Sequence, residues 1–375
     1  MSLKSREWKE FLFTDIFDIK KGFYNKKPKG GNIIKKIPFL GATASNNGVT
    51  SFYSINDIKN SSKLGYGNNE ILDQKIFKGN CIAVTNNGSV GYAYYQPHDF
   101  TCSHDINPLY LKNKNLNGHL AMFLICAIEK QKVCFEYARK WRPSRMIKSK
   151  IILPKSINGQ PDYDFMEQYI KEKYRGKLIN YKNFLDSKLL ESPKQNIKPL
   201  KEVEWSIFKI GELFTLSQGK SKGLNHLIKS NVGVNYLGAT NLNNAVLCQV
   251  DKVESLLHKG NAIAFIRNGE GSMGYSVYKS EEFIATSDIS VGYNKRLNKY
   301  IGTFITTIAD QVRGKYNFGY KRNGKRLSNE NVLLPSRNKK VPDYEYMESY
   351  VKNFEYKRLE KMKSYLDRKI AKHAN

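Results

Sequence analysis

Residues 8–22, WKEFLFTDIFDIKKG, and residues 205–219, WSIFKIGELFTLSQG, are two versions of one stretch. Trp8, Phe11, Ile16, Phe17, Ile19 and Gly22 recur at one constant offset as Trp205, Phe208, Leu213, Phe214, Leu216 and Gly219. The same offset carries Phe39, Leu40, Gly41, Ala42, Thr43 onto Tyr236, Leu237, Gly238, Ala239, Thr240, and Asn46, Asn47 onto Asn243, Asn244. After a loop of different length the match resumes: Gly79, Asn80, Ile82, Ala83 against Gly260, Asn261, Ile263, Ala264, then Gly91, Tyr92 against Gly274, Tyr275. It ends with Pro161 to Glu167 against Pro342 to Glu348. Solenoids and propellers repeat every 20–50 residues, so a period this long means one domain copied in tandem.

Each copy has two parts. Short β-branched and aromatic runs between Gly and Asn turns, such as Cys81–Thr85, Gly91–Tyr95 and Ala262–Ile266, with a predicted helix over Gly118–Lys132, indicate a mixed α/β domain with a curved sheet. A single long helix follows. Asp162 is placed to cap the first, and Met166, Ile170, Tyr174, Leu178, Tyr181, Leu185 and Leu189 step by three or four. The second copy offers Met347, Val351, Glu355, Leu359, Met362, Leu366 and Ile370. Gly176 weakens the first helix by about 1 kcal/mol relative to Ala. Two equivalent apolar stripes in one chain most simply face each other, so the expected fold is α+β: a tandem duplication whose helices pack as an antiparallel, coiled-coil-like spacer with pseudo-twofold symmetry. Met166, Ile170, Leu178, Tyr181 and Leu185 are expected to pair with Met347, Val351, Leu359, Met362 and Leu366 or to meet a partner. The expected boundaries are domain 1–160, helix 161–192, linker 193–200 with Pro193 and Pro199, domain 201–341 and helix 342–375.

The 375 residues carry 62 Lys plus Arg against 34 Asp plus Glu, a formal charge of +28. Residues 1–200 hold 33 of these basic and 17 of the acidic residues, a net +16, which leaves 29 and 17, a net +12, for the rest. A basic excess in both copies points to an extended polyanion touched by each. The longest apolar run, Leu120 to Ile128, is far below the ~20 residues of a membrane span, and Met1 to Lys20 does not read as a signal peptide, so a cytoplasmic protein with no membrane partner is expected. Cys81, Cys102, Cys126, Cys134 and Cys248 match no zinc spacing, and no second pair completes a site around Cys102 and His104.

Signs of catalysis are absent. Asn107, Pro108, Leu109, Tyr110 is one residue from the Asn-Pro-Pro-Tyr motif of adenine methyltransferases, but its counterpart Ser290, Val291, Gly292, Tyr293 shows nothing similar. There is no nucleotide-binding glycine turn and no Walker lysine, and the acids after Pro161 and Pro342 sit at helix starts, where capping explains them. A self-sufficient nucleic-acid-modifying enzyme and an RNA-binding structural protein remain the alternatives.

Nucleic-acid contact is better supported. Arg139, Lys140, Arg142, Arg145, Lys148 and Lys150 crowd around Trp141 with no acid among them, and Arg313, Lys315, Lys321, Arg322, Lys325 and Arg326 recur around Tyr316, Phe318 and Tyr320. Bases are read by Arg on guanine and Asn or Gln on adenine, which singles out the polar loops Thr85, Asn86, Asn87, Gly88 and, as their expected counterpart, Arg267, Asn268, Gly269, Glu270. The candidate DNA contacts are therefore Asn46, Asn47, Thr85, Asn86, Asn87, Arg139, Lys140, Trp141, Arg142 and Arg145 in the first copy. In the second they are Lys220, Lys222, Asn243, Arg267, Asn268, Tyr320, Lys321, Arg322, Lys325 and Arg326.

With these elements in place, the chain resembles the DNA-specificity (S) subunit of type I restriction-modification enzymes and the closely similar S subunit of type IIB systems. The resemblance spans essentially the whole chain and rests on Trp8–Gly22 and Trp205–Gly219, the Leu-Gly-Ala-Thr segments, the Asn-Gly loops, Tyr320–Arg326 and the Pro-Asp-Tyr helix starts. It implies that each globular part is a target recognition domain, that the helices are a spacer docking methyltransferase (M) subunits, and that this chain holds no cofactor and performs no chemistry. Double-stranded DNA and M subunits, with a restriction (R) subunit in some systems, are the implied partners. S-adenosylmethionine, Mg2+ and, with an R subunit, ATP are expected on those partners. The helices are shorter than those of many type I members.

Overall fold

The computed structural model describes residues 1–31, 34, 36–67, 70–135, 139–191 and 194–372; the last position of the expected first helix, Ser192, the expected linker position Pro193 and the last residues of the expected C-terminal helix, 373–375, lie outside them. The chain divides into two compact units, residues 1–180 with the segment from Lys369 onward, and residues 181–368.

In the first unit the buried strand Cys81–Thr85 sits between Ile106–Leu111 and Ala93–Gln96, and Phe17–Ile19 completes an antiparallel four-stranded sheet. Its register is set by burial: all five residues of Cys81–Thr85 are inside, as a central strand covered on both faces requires. The helix Gly118–Glu129 covers one face, started by Asn117, whose Oδ1 accepts the amides of His119 and Leu120. Ile37–Leu40 pairs antiparallel with Val49–Tyr53 and parallel with Thr101–Cys102 as a separate sheet. The sequence suggests one curved sheet; the strands instead sort into separate sheets, and a bulge at Phe39/Leu40 shifts the register inside the smaller one. Trp8–Leu12 pairs with Lys150–Pro154 beneath the helix.

The second unit repeats this plan. Ala262–Ile266 lies between Ile289–Tyr293 and Ser276–Lys279 with Thr215–Gln218 outermost, and Lys229–Leu237 pairs antiparallel with Val246–Val250 and parallel with Phe283–Ala285. Trp205–Lys209 pairs with Asn331–Arg337, and Asn298 caps the helix Lys299–Ala309 as Asn117 does its counterpart.

The long helices run Tyr163–Glu191 and Tyr344–Lys372. Asp162 and Asp343 cap them, each accepting the amide three residues on at 3.0 Å. Each start is pinned to a strand end, Asp162 N–H to Pro154 O and Asp343 N–H to Pro335 O, both at 2.8 Å. This anchorage corrects part of the expected pairing. Met166 and Ile170 belong to the core of the first unit's own domain, and Met347 and Val351 to that of the second, because the first two turns leave the domain with their apolar side against it. Helix pairing occurs farther along. Within the second unit, Leu185 and Leu366 are buried, and Lys182 and Asp186 form ion pairs with Asp367 and Lys363. Partner numbers fall as the first helix advances, which makes the pair antiparallel. Burying each leucine contributes about 2 kcal/mol, whereas the exposed ion pairs contribute at most about 1 kcal/mol each and chiefly fix register. Tyr181 and Met362 keep more than two-fifths of their surface exposed. No helix among the described residues is long and apolar enough to cross a membrane.

Candidate nucleic-acid interface

Antiparallel pairing gathers one set of loops at one end of each four-stranded sheet. In the first unit these are the chain leaving Phe17–Ile19, the turn after Cys81–Thr85 and the turn before Ile106–Leu111. Asn86 N–H donates to Asp105 O at 2.8 Å, and Asn86 Nδ2 to His104 O at 3.1 Å and Asn107 Oδ1 at 2.6 Å. Asn87 Nδ2 donates to Asp105 Oδ1 at 2.9 Å. In the second unit Arg267 N–H donates to Asp288 O at 2.9 Å, Arg267 Nη2 to Ser287 O at 2.6 Å, and Asn268 Nδ2 to Asp288 Oδ1 at 3.0 Å. Asn86 is therefore the counterpart of Arg267, and Asn87 of Asn268, one position away from the pairing the sequence suggests. Two side chains of the candidate loop turn inward. Thr85 is fully buried, its hydroxyl donating to Ser89 O, and Asn86 is spent on His104 and Asn107, so neither presents an edge to a base. Asn87 and Arg267 are half-buried at the surface.

In the second unit the basic segment lies against the loop, since a Cβ on Gly274 would meet the Arg313 backbone; in the first, one on Gly91 would meet Lys132, which precedes the basic segment. Trp141 is fully buried, stacked on Phe135 and edge-on to Phe13, and donates its indole N–H to Ser149 Oγ at 2.9 Å. Arg322 is equally buried; its Nε donates to Glu330 Oε2 at 2.9 Å, its Nη2 reaches Glu330 Oε1, and its Nη1 reaches Tyr275 O and Ser276 Oγ. Contrary to the expectation that they face DNA, neither side chain has exposed surface in this arrangement, because each is the internal anchor of its segment. The surface of the segments is left to Arg139, Arg142 and Arg145, with Lys140 half-buried, and to Tyr320, Lys321, Lys325 and Arg326. Arg145 Nη1 donates to Lys140 O at 2.7 Å and Arg326 Nη1 to Lys321 O at 2.8 Å, one tether repeated, and the Arg326 guanidinium lies 4.0 Å over Tyr320.

Asn46 and Asn243 are exposed in left-handed turns. Asn47 is a tether, Nδ2 to Tyr95 O at 3.1 Å, and lies along the edge strand Ala93–Gln96 toward the far end of the sheet. Lys220 donates to Leu257 O, and Lys222 is exposed. Asn107, in the sequence resembling a methyltransferase motif, is buried and donates to Lys20 O. Among the described residues no group of His, Cys, Asp and Glu is placed to hold a metal. Burial pushes the Cys102 thiol up, and His104 faces Asp105 and Tyr24 O.

The sequence reading passed over a further basic run. Lys20, Lys21, Lys26, Lys27, Lys29, Lys35 and Lys36 follow one another with no acid among them. Searching for charge that recurs in both copies hid this run, which has no equal in the second. The absence of acid over that length was the available signal.

The family described as "Type I restriction modification DNA specificity domain" matches residues 5–180 and 202–364. The "Type II restriction enzyme BgcI specificity subunit S.BcgI" of Heyndrickxia coagulans is 39% identical over 171 residues, 45% of this chain and 44% of the relative, so the match spans less than half of that protein's length. Among solved structures, the type I restriction-modification S subunit from M. genitalium covers 100% of this chain and 96% of its own at 16% identity, with a TM-score of 0.51, which shows a shared fold.

Proposed function

Because the chain belongs to the family of type I restriction-modification DNA specificity domains, we propose that it is the sequence-reading subunit of a restriction-modification complex and recognises a bipartite, gapped DNA site. Residues 1–160 and 201–341 act as two target recognition domains, joined through the helices 161–192 and 342–375 and the linker 193–200. The observation that carries this reading is one loop framework built twice with different side chains: Asn86 and Arg267 bond to equivalent carbonyls, but Asn86 is consumed inside its loop and leaves Asn87 at the surface, whereas Arg267 itself stays half-buried at the surface. Such a scaffold suits two half-sites of different sequence.

A helix of 29 residues is about 43 Å long, or roughly 12–13 base pairs, so the half-site centres lie about one helical turn of DNA apart. Phosphate contacts from Lys321, Lys325, Arg139 and Arg142 position the heads, and base contacts specify. Methyltransferase subunits dock on the helices and carry S-adenosylmethionine and Mg2+; a restriction subunit using ATP joins in systems that have one. The chain itself supplies recognition and no chemistry, and it works in the cytoplasm.

Methylation mapping of the assembled complex tests the reading. It should return a gapped site, Arg267→Ala should relax sequence choice in one half-site by about 1–3 kcal/mol, and Lys321→Ala should weaken binding without changing the sequence chosen. A continuous, ungapped site, or relaxation in both halves from the Arg267 change, would overturn it.

A further inference from the structure

The two copies differ most between their fourth and fifth long-range strands: 27 residues separate Tyr53 from Cys81, whereas 11 separate Val250 from Ala262. The added chain of the first unit returns alongside the lysine-rich loop that follows Phe17–Ile19. Asn25 N–H donates to Lys63 O at 2.9 Å and Lys29 N–H to Gly65 O at 3.3 Å. A Cβ on Gly65, whose φ is +87°, would lie 2.4 Å from Lys27 O, so the two loops approach this closely only with glycine there. Beneath them the Tyr24 hydroxyl meets Ser61 Oγ at 2.7 Å, and the Ser62 hydroxyl donates to Tyr66 O. The double loop is thus a built element with internal hydrogen bonds.

Its outer surface is cationic. Lys26, Lys27, Lys29 and Lys63 are exposed, and among the described residues none has a carboxylate within ion-pairing distance. Two acids lie nearby: Asp57, whose Oδ2 accepts Ser54 N–H in a helix cap, and Glu70, whose Oε1 accepts Lys63 N–H. Lys29 Nζ lies 5.9 Å over the ring of Tyr66, which is 58% exposed. This surface adjoins the candidate reading loop, because Tyr24 O accepts His104 N–H and His104 neighbours Asp105, the acceptor for Asn87. In the second unit the shorter connection carries Lys252, paired with Glu254 at 3.1 Å and Glu282 at 3.3 Å, so charge there is already neutralised.

We infer that the paired loops at residues 25–29 and 61–66 form a phosphate clamp that grips duplex DNA flanking the half-site read by the first head, with no equivalent on the second. The clamp rests on the proposed DNA reading and adds an asymmetry to it: affinity is weighted toward one side of the site without any gain in sequence information. Lysine suits the task, since flexible point charges neutralise phosphates without reading bases.

The experiment is a salt titration of the full chain on a fluorescent 40-base-pair duplex of random sequence. Changing Lys26, Lys27, Lys29 and Lys63 together to Gln should lower the slope of log K against log salt by about 3–4, and affinity at 0.15 M salt by roughly tenfold or more. The same four positions as Arg should keep the slope. Lys229→Gln with Lys259→Gln, the second-unit control, should lower it by under about 0.5 per residue changed, against about 0.9 per residue in the clamp. An unchanged slope in the quadruple Gln variant, or an equal loss per residue from the control, overturns the clamp. The proposed reading stands or falls separately, on whether methylation mapping returns a gapped site.

Discussion

The two basic segments, residues 139–150 and 320–331, hold the same place in their units and solve the same packing problem with opposite chemistry. Trp141 and Arg322 occupy equivalent positions, both with no exposed surface. Each reaches the residue just before the following strand: Trp141 Nε1 to Ser149 Oγ, Arg322 Nε to Glu330 Oε2, both at 2.9 Å. The ring beside them also corresponds, Phe135 against Trp141 and Tyr316 near Arg322, and the Tyr316 hydroxyl donates to Glu330. A second pair follows the same rule. Phe77 stacks on Phe100 in the first unit at 5.7 Å, and His258 stacks on Phe283 in the second at 5.5 Å. Geometry has been kept while chemistry drifted, and at both positions the second unit carries an ionisable group where the first is neutral. The comparison teaches that a planar, hydrogen-bonding side chain is what the fold demands at the anchor; charge is optional provided it is paired.

The largest effects should come from the anchors. Arg322→Ala leaves the buried Glu330 carboxylate unpaired and should destabilise the second unit by about 3–5 kcal/mol; Trp141→Ala opens a cavity in the first and should cost a similar amount. The sharper test is the transplant: Arg322→Trp with Glu330→Ser should recover most of the loss caused by Arg322→Ala, read as the midpoint of denaturant unfolding. If the transplant unfolds as readily as the single change, the two anchors are not equivalent. An acid titration probes the second pair. Burial, helped by Lys220, lowers the His258 pKa from its ordinary value to about 4. The unfolded chain therefore binds the proton more readily, so the stability His258 contributes is full above pH ~6.5 and falls as pH drops toward 4. His258→Phe, copying Phe77, should remove about 1–3 kcal/mol of acid-induced loss between those limits. Thermal unfolding at pH 7 and pH 4.5 checks it; equal acid loss in both proteins would break the parallel.

These contrasts also mark how far the sequence could be read. The duplication, the strands Cys81–Thr85 and Ala262–Ile266 and the capping of both long helices followed from period and turn chemistry. The direction of individual side chains within a charged run did not. Arg322 reads as one more surface cation, because the Glu330 that neutralises it lies eight residues away and only the fold of the loop brings it inside. Thr85 closes the buried strand Cys81–Thr85 and Asn86 follows it; a strand buried on both faces has no alternation to show where its last side chain points, and strand period ends at the turn. The one-residue error in matching Asn86 to its counterpart arose because Ile266 resembles no member of the polar loop, while the backbone bonds to Asp105 and Asp288 settle the alignment. The helix stripes misled for another reason: a continuous apolar face does not say where one covering surface gives way to the next, so Met166 and Leu185 look alike in sequence though one packs on its own domain and the other in the second unit.

The smallest expected effect concerns the turns after the Gly-Ala-Thr segments. Asn46, Asn47 and Gly48 occupy the left-handed region at φ 52°, 51° and 78°, and Asn243, Asn244 and Ala245 do so at 48°, 56° and 63°. Asparagine tolerates that conformation and glycine adopts it freely, but Ala245 pays for its Cβ against the following carbonyl. The turn persists because Gly238 N–H donates to Ala245 O at 3.0 Å, closing the hairpin that starts Val246–Val250, and because Ala245 is fully buried. Ala245→Gly should therefore relieve strain of about 1–2 kcal/mol, but it also loses a buried methyl and loosens the unfolded chain by about 0.4–1 kcal/mol. The net gain is predicted at under about 1 kcal/mol. The reverse change, Gly48→Ala, has no such offset: its Cβ would lie 2.9 Å from the Tyr94 ring. It should destabilise the first unit by more than Ala245→Gly stabilises the second, and paired unfolding midpoints that move by equal and opposite amounts would show that strain alone, without the Tyr94 contact, separates the two turns.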